Sequence, residues 1–263
     1  MALNRDDELH HKIFNVQPKG NPALVTILSL LTKLKFAKAF LTAGTMVLAI
    51  GGYALLFGWP FAVGFVLLIF IHEMGHYVAA RQRGLNIGLP VFIPFLGAYV
   101  ALKDLPHDAE TEAYVAYAGP FVGSLACFAV YFASRHYDSR LLLALAQSGF
   151  LINLFNLIPI SPLDGGRITS VLGPRVWFLG LPILAAFWYY HPSPLLLLVG
   201  LMALPRLGEA WRYDPTAPAN RAYYGVPFTT KVEYAGLYMV LVLVLAIVTN
   251  LLHEELSGGT RAF

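Results

Sequence analysis

The sequence predicts an all-α polytopic membrane protein of about six to seven transmembrane helices, interrupted by a short β-hairpin or re-entrant loop at about residues 88–103. Three observations predict it. Of the 263 residues, 57% are hydrophobic and only 13% charged, with a mean hydropathy of +0.63; a soluble domain carries roughly 25% charged residues. The apolar residues are gathered into runs that approach the roughly 20 residues a span requires. The basic residues are distributed unevenly between those runs, as they are in proteins that cross a bilayer.

The elements follow in order. Residues 1–40 read as a cytoplasmic N-terminal and amphipathic segment. Met1–Leu9 is polar, and no short apolar stretch follows a basic start, so no cleaved signal peptide is expected. Between Pro22 and Phe40, leucines alternate with Lys33, Lys35 and Lys38, which suits either a surface-lying helix or the basic end of the first span. The membrane-embedded core, 41–205, contains apolar runs at about 40–58, 60–80, 113–133, 141–160, 175–190 and 193–205. The last two are short and flanked by Pro174, Pro182, Pro192, Pro194 and Pro205, as expected of a tilted or broken pair. Gly88–Ala101 is apolar but too short to cross and is rich in helix breakers, so it is expected to re-enter where protein covers its backbone. A cytoplasmic loop at 206–231 carries Trp211, Tyr223 and Tyr224 as interface aromatics and reads as a partner or gating surface. Residues 232–263 supply the last span and a short tail. The single cysteine, Cys127, excludes an intrachain disulfide and reads as a small packing residue.

The second run contains His72-Glu73-Met74-Gly75-His76. Histidines four residues apart lie about 40° apart around a helix, so both imidazoles leave one face and can share a metal. A glutamate between them is placed to take a proton from water activated there. Three titratable groups in hydrocarbon are costly without a partner, and a cation supplies one. The alternative is a pair of core histidines bonded within a helical bundle. His10, His11 and His107 read as surface residues, and His136, His191 and His253 fall at the far side of the predicted bundle.

Charge sets the orientation. With the N-terminus in the cytoplasm and seven spans, every Lys and Arg except Arg135, Arg140 and Arg261 falls on the cytoplasmic side. The second span then runs inward and brings His72 and His76 near its cytoplasmic end. The fourth also runs inward and ends in Asn156-Leu157-Ile158-Pro159-Ile160-Ser161-Pro162-Leu163-Asp164-Gly165-Gly166-Arg167, so Asp164 arrives at a similar depth. A catalytic zinc needs a third protein ligand and an open position. Asp164 is the best carboxylate for the role, the bland alternative being a polar turn that closes a helix.

These residues resemble the site-2 protease family of intramembrane zinc metalloproteases. His72–His76 and the element from Asn156 to Gly165 carry the likeness, with Tyr117-Ala118-Gly119-Pro120 similar to the opening of the family's central span and Pro94–Val100 similar to its membrane-associated hairpin. The matching motifs fall within residues 65–170. The resemblance implies one zinc ion per chain, held by His72, His76 and Asp164, with Glu73 as general base. It implies substrate contacts from Asn156 and from the strand edge at Gly97 and Tyr99, and unwinding at Pro159 and Pro162 that turns Asp164 to the metal. Gly123 and Ser124 stand where many members carry a small polar residue such as Asn. No stretch suits an inserted PDZ domain and no soluble domain follows the last span, so a minimal version of the fold is expected.

The implied activity is hydrolysis of membrane-spanning protein substrates within a lipid bilayer, probed best against two alternatives. A catalytically silent relative that binds or chaperones membrane proteins would commonly lose a ligand or the glutamate, and here all four are present. A metal-ion transporter would carry polar residues along several spans, whereas here they cluster at one depth. The expected setting is a prokaryotic inner membrane with the site toward the cytoplasm. No nucleic acid is expected as a partner, and self-association is left open by the sequence.

Overall fold

The computed structural model describes residues 37–95, 97–100 and 104–258. The expectations for residues 1–36 and for the Tyr99 side chain fall outside the described residues. By its internal contacts the chain divides into units of residues 1–41 and 42–263, and the architecture below is that of the second.

Helix α1 (Ala37–Phe57) leads through Gly58, whose φ of 81° lies in the region glycine adopts freely, into α2 (Trp59–Gln82). A hairpin of β1 (Val91–Ile93) and β2 (Gly97–Tyr99) comes next. Helix α3 (Ala109–His136) starts at Asp108, whose side chain accepts from the Thr111 amide, and α4 (Arg140–Asn156) starts at Ser139, which accepts from Leu142. Beyond them lie the short α5 (Asp164–Thr169), two 3₁₀ turns (Ser170–Leu172 and Pro174–Leu179), α6 (Gly180–Tyr190), α7 (Pro194–Trp211), α8 (Pro218–Tyr224) and the long α9 (Phe228–Gly258).

Five described helices are long and apolar enough to cross a membrane: α1, α2, α3, α7 and α9. The other two predicted spans differ for local reasons. The run at 141–160 is cut at Asn156, leaving α4 with 17 residues, because the chain must turn ahead of Pro159 and Pro162. The run at 175–190 is six residues of 3₁₀ helix followed by 11 of α-helix. At about 2.0 and 1.5 Å of rise per residue these cover roughly 28 Å, close to the roughly 27 Å of α7. The two lie antiparallel: Arg175 donates to the Tyr213 carbonyl at 3.1 Å, Phe178 meets Trp211 edge to face, and Trp177 and Leu184 share an apolar cluster with Leu196, Val199 and Leu207. The first of the pair changes from 3₁₀ to α winding at Leu179–Gly180 with both residues in helical backbone, rather than breaking there.

A central core joins α2, α3, α4 and α9 through Leu68, Cys127, Leu145, Phe150, Leu241, Leu245 and Leu252. Arg135 pairs with Glu255, and Arg140 donates to the Leu256 carbonyl, at one end of this bundle. Tyr238 donates to the Leu157 carbonyl at 2.6 Å toward the other end, so α9 runs against α4. Outward faces carry Val47, Leu55, Leu197, Leu201, Val240, Leu243 and Leu251, all exposed. An apolar exterior of this kind suits lipid rather than water, and the chain is an integral membrane protein.

The hairpin is antiparallel, with Val91 opposite Tyr99, Phe92 opposite Ala98 and Ile93 opposite Gly97. Its turn uses φ angles of 65° at Phe95 and 100° at Gly97. Thr42 Oγ1 donates to the Pro90 carbonyl at 2.7 Å, and the Phe92 amide donates to Thr45 Oγ1 at 3.2 Å, which ties β1 to α1. Phe92 is buried with Ala49, Val66 and Ile69, so the hairpin packs on α2 within a turn of His72.

Candidate metal centre

α2 carries His72, Glu73 and His76 on buried positions near the middle of the fold. It crosses α3 where Gly119 and Gly123 leave a groove. A Cβ on Gly119 would lie 2.2 Å from His76 Nε2, and one on Gly123 would lie 2.6 Å from Asn153 Oδ1. The two glycines are one helical turn apart, and the imidazole and the amide occupy the space they leave. The Gly123 position, a departure from the family pattern, is therefore filled from the neighbouring helix.

Asp164 reaches the histidines by a short excursion. After α4 ends at Asn156, residues 157–163 run outside any helix, anchored by buried Ile158, Ile160 and Leu163 in the cluster around Trp177. α5 then begins at Asp164 itself. Gly165 and Gly166 lie directly against the backbone of Leu157 and Ile160, and the Trp177 indole donates to the Gly166 carbonyl at 2.7 Å. The carboxylate is thus fixed by a tight, packed turn rather than by a long helix.

Three atoms converge. His72 Nε2 lies 3.2 Å from Asp164 Oδ2, His76 Nε2 lies 3.3 Å from the same oxygen, and the two nitrogens are 3.1 Å apart. A zinc tetrahedron with bonds of about 2.0–2.1 Å has edges of about 3.3–3.4 Å, so this triangle is close to one of its faces. The distal nitrogens are held as a ligand requires. His72 Nδ1 is 2.7 Å from Asn153 Oδ1, and His76 Nδ1 is 2.8 Å from the Val115 carbonyl. Both partners accept, so each Nδ1 carries the hydrogen and each Nε2 presents its lone pair. Asn153 is itself oriented, since its Nδ2 donates to the Gly149 carbonyl at 2.8 Å. His72, His76 and Asp164 form a group able to hold a metal ion, and the donor set suits zinc.

Glu73 is buried beside this group and has no hydrogen-bond partner among the described residues. Its carboxylate is free to accept a proton.

The structure thus brings together His72, Glu73, His76 and Asp164. Asn156 ends α4, half-buried, and among the described residues its side chain makes no hydrogen bond. Asn153, one turn earlier, is the asparagine that faces a histidine, and sequence reading missed it. The signal was present as a lone amide inside the apolar run Phe150–Phe155, but nothing local distinguishes it from Asn156. Gly97 and Tyr99 pair with Ile93 and Val91 in the hairpin. His107, His136, His191 and His253 are exposed.

On the side of Asp164 away from the histidines, Arg167 Nη1 lies 3.8 Å from Asp164 Oδ1, and Arg167 Nε lies 3.5 Å from Glu112 Oε1. Glu112 Oε2 accepts from Tyr223 at 2.6 Å and lies 3.3 Å from the Ser170 hydroxyl, which donates to the Arg167 carbonyl at 2.7 Å. Burial, then the adjacent Glu112 carboxylate, holds the Tyr223 phenol well above its ordinary value, so it stays a donor.

Residues 60–139 match the model of peptidase family M50. The chain is 29% identical over 152 residues to a zinc metalloprotease of Methanocaldococcus jannaschii, covering 54% of this chain and 44% of that one. It therefore spans under half the length of that relative. Among solved structures, a site-2 protease from Methanocaldococcus jannaschii aligns with a TM-score of 0.44 and 22% identity, covering 65% of this chain and 88% of that one.

Proposed function

We propose that the chain, whose residues 60–139 match peptidase family M50, is a zinc metalloprotease of the site-2 protease type that hydrolyses peptide bonds within or near the transmembrane segments of membrane-protein substrates. The observation that carries this reading is the triangle of His72 Nε2, His76 Nε2 and Asp164 Oδ2, with both distal nitrogens anchored and Glu73 buried alongside. A structural pair of core histidines has no need of three converging lone pairs.

His72, His76 and Asp164 hold one zinc ion in this reading. Held by these three residues, a zinc ion would supply an activated water and a Lewis acid for the scissile carbonyl. Glu73, buried beside the triangle, would accept the proton of the attacking water and pass it to the leaving amine, a role worth roughly 10²–10⁴-fold in rate. Asn153 and the Val115 carbonyl keep the imidazoles in the ligating tautomer. Asn156, at the end of α4 with a free amide, is placed to contact substrate.

A transmembrane helix satisfies its own backbone and must unwind before attack. The hairpin offers a template. Phe92 turns its amide away from β2 toward Thr45, so its opposite number Ala98 also points its amide and carbonyl away from β1. That edge of β2, flanked by Gly97 and Tyr99, can accept an extended substrate segment as a further strand.

We place the chain in a prokaryotic cell membrane, and the charge pattern supports an orientation with the site toward the cytoplasm. Arg83, Arg167 and Arg175 gather at the end of the bundle nearer the site, and Arg135 and Arg140 at the other. The test is Glu73→Gln in the full chain, reconstituted with a membrane-spanning substrate. It is expected to keep one zinc per chain and to lose cleavage, and to retain uncleaved single-span proteins for identification. Cleavage at the unaltered rate refutes the base assignment.

A further inference from the structure

We propose that Arg167, Glu112 and Tyr223 form a positioning chain that reserves Asp164 Oδ1, so that Asp164 ligates through Oδ2 alone and its setting depends on the seating of α8. The proposal rests on the metalloprotease reading of the site.

The geometry divides the two oxygens of Asp164. Oδ2 faces both histidines at 3.2 and 3.3 Å, while Oδ1 faces the Arg167 guanidinium at 3.8 Å. A carboxylate whose second oxygen is held by a cation is restrained from swinging both oxygens onto one metal. Partners of this kind orient ligands and tune affinity by about 10–100-fold. Arg167 alone is a poor choice, because an unneutralised guanidinium repels a divalent ion nearby. Glu112 resolves that conflict: at 3.5 Å from Arg167 Nε it both holds and neutralises the guanidinium.

Glu112 is in turn held by the Tyr223 hydroxyl on α8 at 2.6 Å, while the Ser170 hydroxyl, 3.3 Å away, donates to the Arg167 carbonyl at 2.7 Å. Tyr223 is 111 residues away in sequence and belongs to the loop between the last two long helices. The end of that loop is footed by Val226, which packs against Ala113 of α3, Val171 of the first 3₁₀ turn and Tyr234 at the start of α9. Arg167, Glu112 and Tyr223 are all half-buried, so their interactions are less screened than those of a surface pair. A displacement of α8 removes the Tyr223 hydroxyl, frees Glu112 to rotate, and loosens Arg167 from Oδ1. A binding event on the loop therefore reaches the metal through three side chains.

The test uses the full chain in bilayer discs and reads the metal itself. Zinc affinity is measured by chelator competition, and coordination number by the visible spectrum of the cobalt-substituted chain. Glu112→Gln is expected to weaken zinc by 10-fold or more, since positioning and neutralisation are lost in the same direction. Tyr223→Phe, which removes one oxygen and keeps the test alive should Glu112→Gln fail to fold, is expected to weaken zinc 2- to 5-fold. Arg167→Gln is expected to shift the cobalt spectrum from four- toward five-coordinate, and Arg167→Lys to restore it. In the Arg167→Gln background Tyr223→Phe is expected to add nothing. Wild-type zinc affinity in Tyr223→Phe, or an unshifted cobalt spectrum in Arg167→Gln, overturns the chain while leaving the metalloprotease reading intact. A wild-type protein that takes up no zinc overturns that reading instead.

Discussion

On the seam between α2, α3 and α4, a Cβ on Gly119 would sit 2.2 Å from His76 Nε2, and one on Gly123 2.6 Å from Asn153 Oδ1. In the helical hairpin of residues 174–211, a Cβ on Gly200 would meet nothing nearer than Leu184 Cδ2 at 3.8 Å. Both regions are apolar, and both pair antiparallel segments. They differ in what sets the spacing. In lipid the hydrophobic effect does little to drive helices together, and close approach of small residues with interhelical hydrogen bonds does more. The seam uses both devices, because a metal site needs its donors fixed to fractions of an ångström. The hairpin is spaced by Leu184, Leu196, Val199 and Leu207, whose shapes can adjust to one another. Position is therefore specified more tightly on the seam than where α7 faces α6 at Gly200, although Gly180 at the start of α6 is itself closely packed, its Cβ position 2.6 Å from Ile160 Cβ.

The largest expected effect comes from filling the seam. Gly119→Ala places a methyl where the His76 ring now is, and neither α3 backbone nor the ring, held at its far side by the Val115 carbonyl, has room to retreat. Zinc affinity is expected to fall by about 100-fold or more, beyond the loss typical of one orienting partner. Retention of wild-type affinity would erase the contrast between the regions. A smaller loss is expected from Asn153→Ala, which removes the acceptor from His72 Nδ1 and lets the ring change tautomer. Chelator competition should show about 10–100-fold weaker zinc, and Asn153→Asp, which keeps an acceptor, should recover most of it.

Legibility in the sequence follows the same division. The convergence of His72, His76 and Asp164 was readable because a four-residue spacing fixes one helix face and the basic residues fix the direction of each run. The hairpin was readable because Gly88–Ala101 could neither cross nor stay helical. Asn153 was not, because its partner lies 81 residues away and only the crossing of α2 and α4 selects it over Asn156. The 3₁₀ stretch from Pro174 to Leu179 was not either. Hydropathy measures how apolar a run is, and Pro174–Tyr190 is apolar enough; whether it winds at 3.0 or 3.6 residues per turn depends on how Trp177 and Phe178 dock on α5 and Trp211. The coupling of Arg167 to Tyr223 lies further from view still, since no spacing rule joins residues on three separate elements.

The smallest effect is expected at Gly200, and it is the most direct check on the claim of looseness. The residue lies inside α7 beside Leu184, with space for a methyl at ordinary van der Waals distance. Alanine is favoured over glycine within a helix by about 0.5–1 kcal/mol, and nothing in the packing opposes it. Gly200→Ala should therefore leave zinc affinity and cleavage rate unchanged and raise the thermal midpoint in detergent by a degree or more. A loss of zinc in this variant would mean that the hairpin transmits its spacing through Trp177 and the Gly166 carbonyl to Asp164, and that the two regions are one mechanical unit.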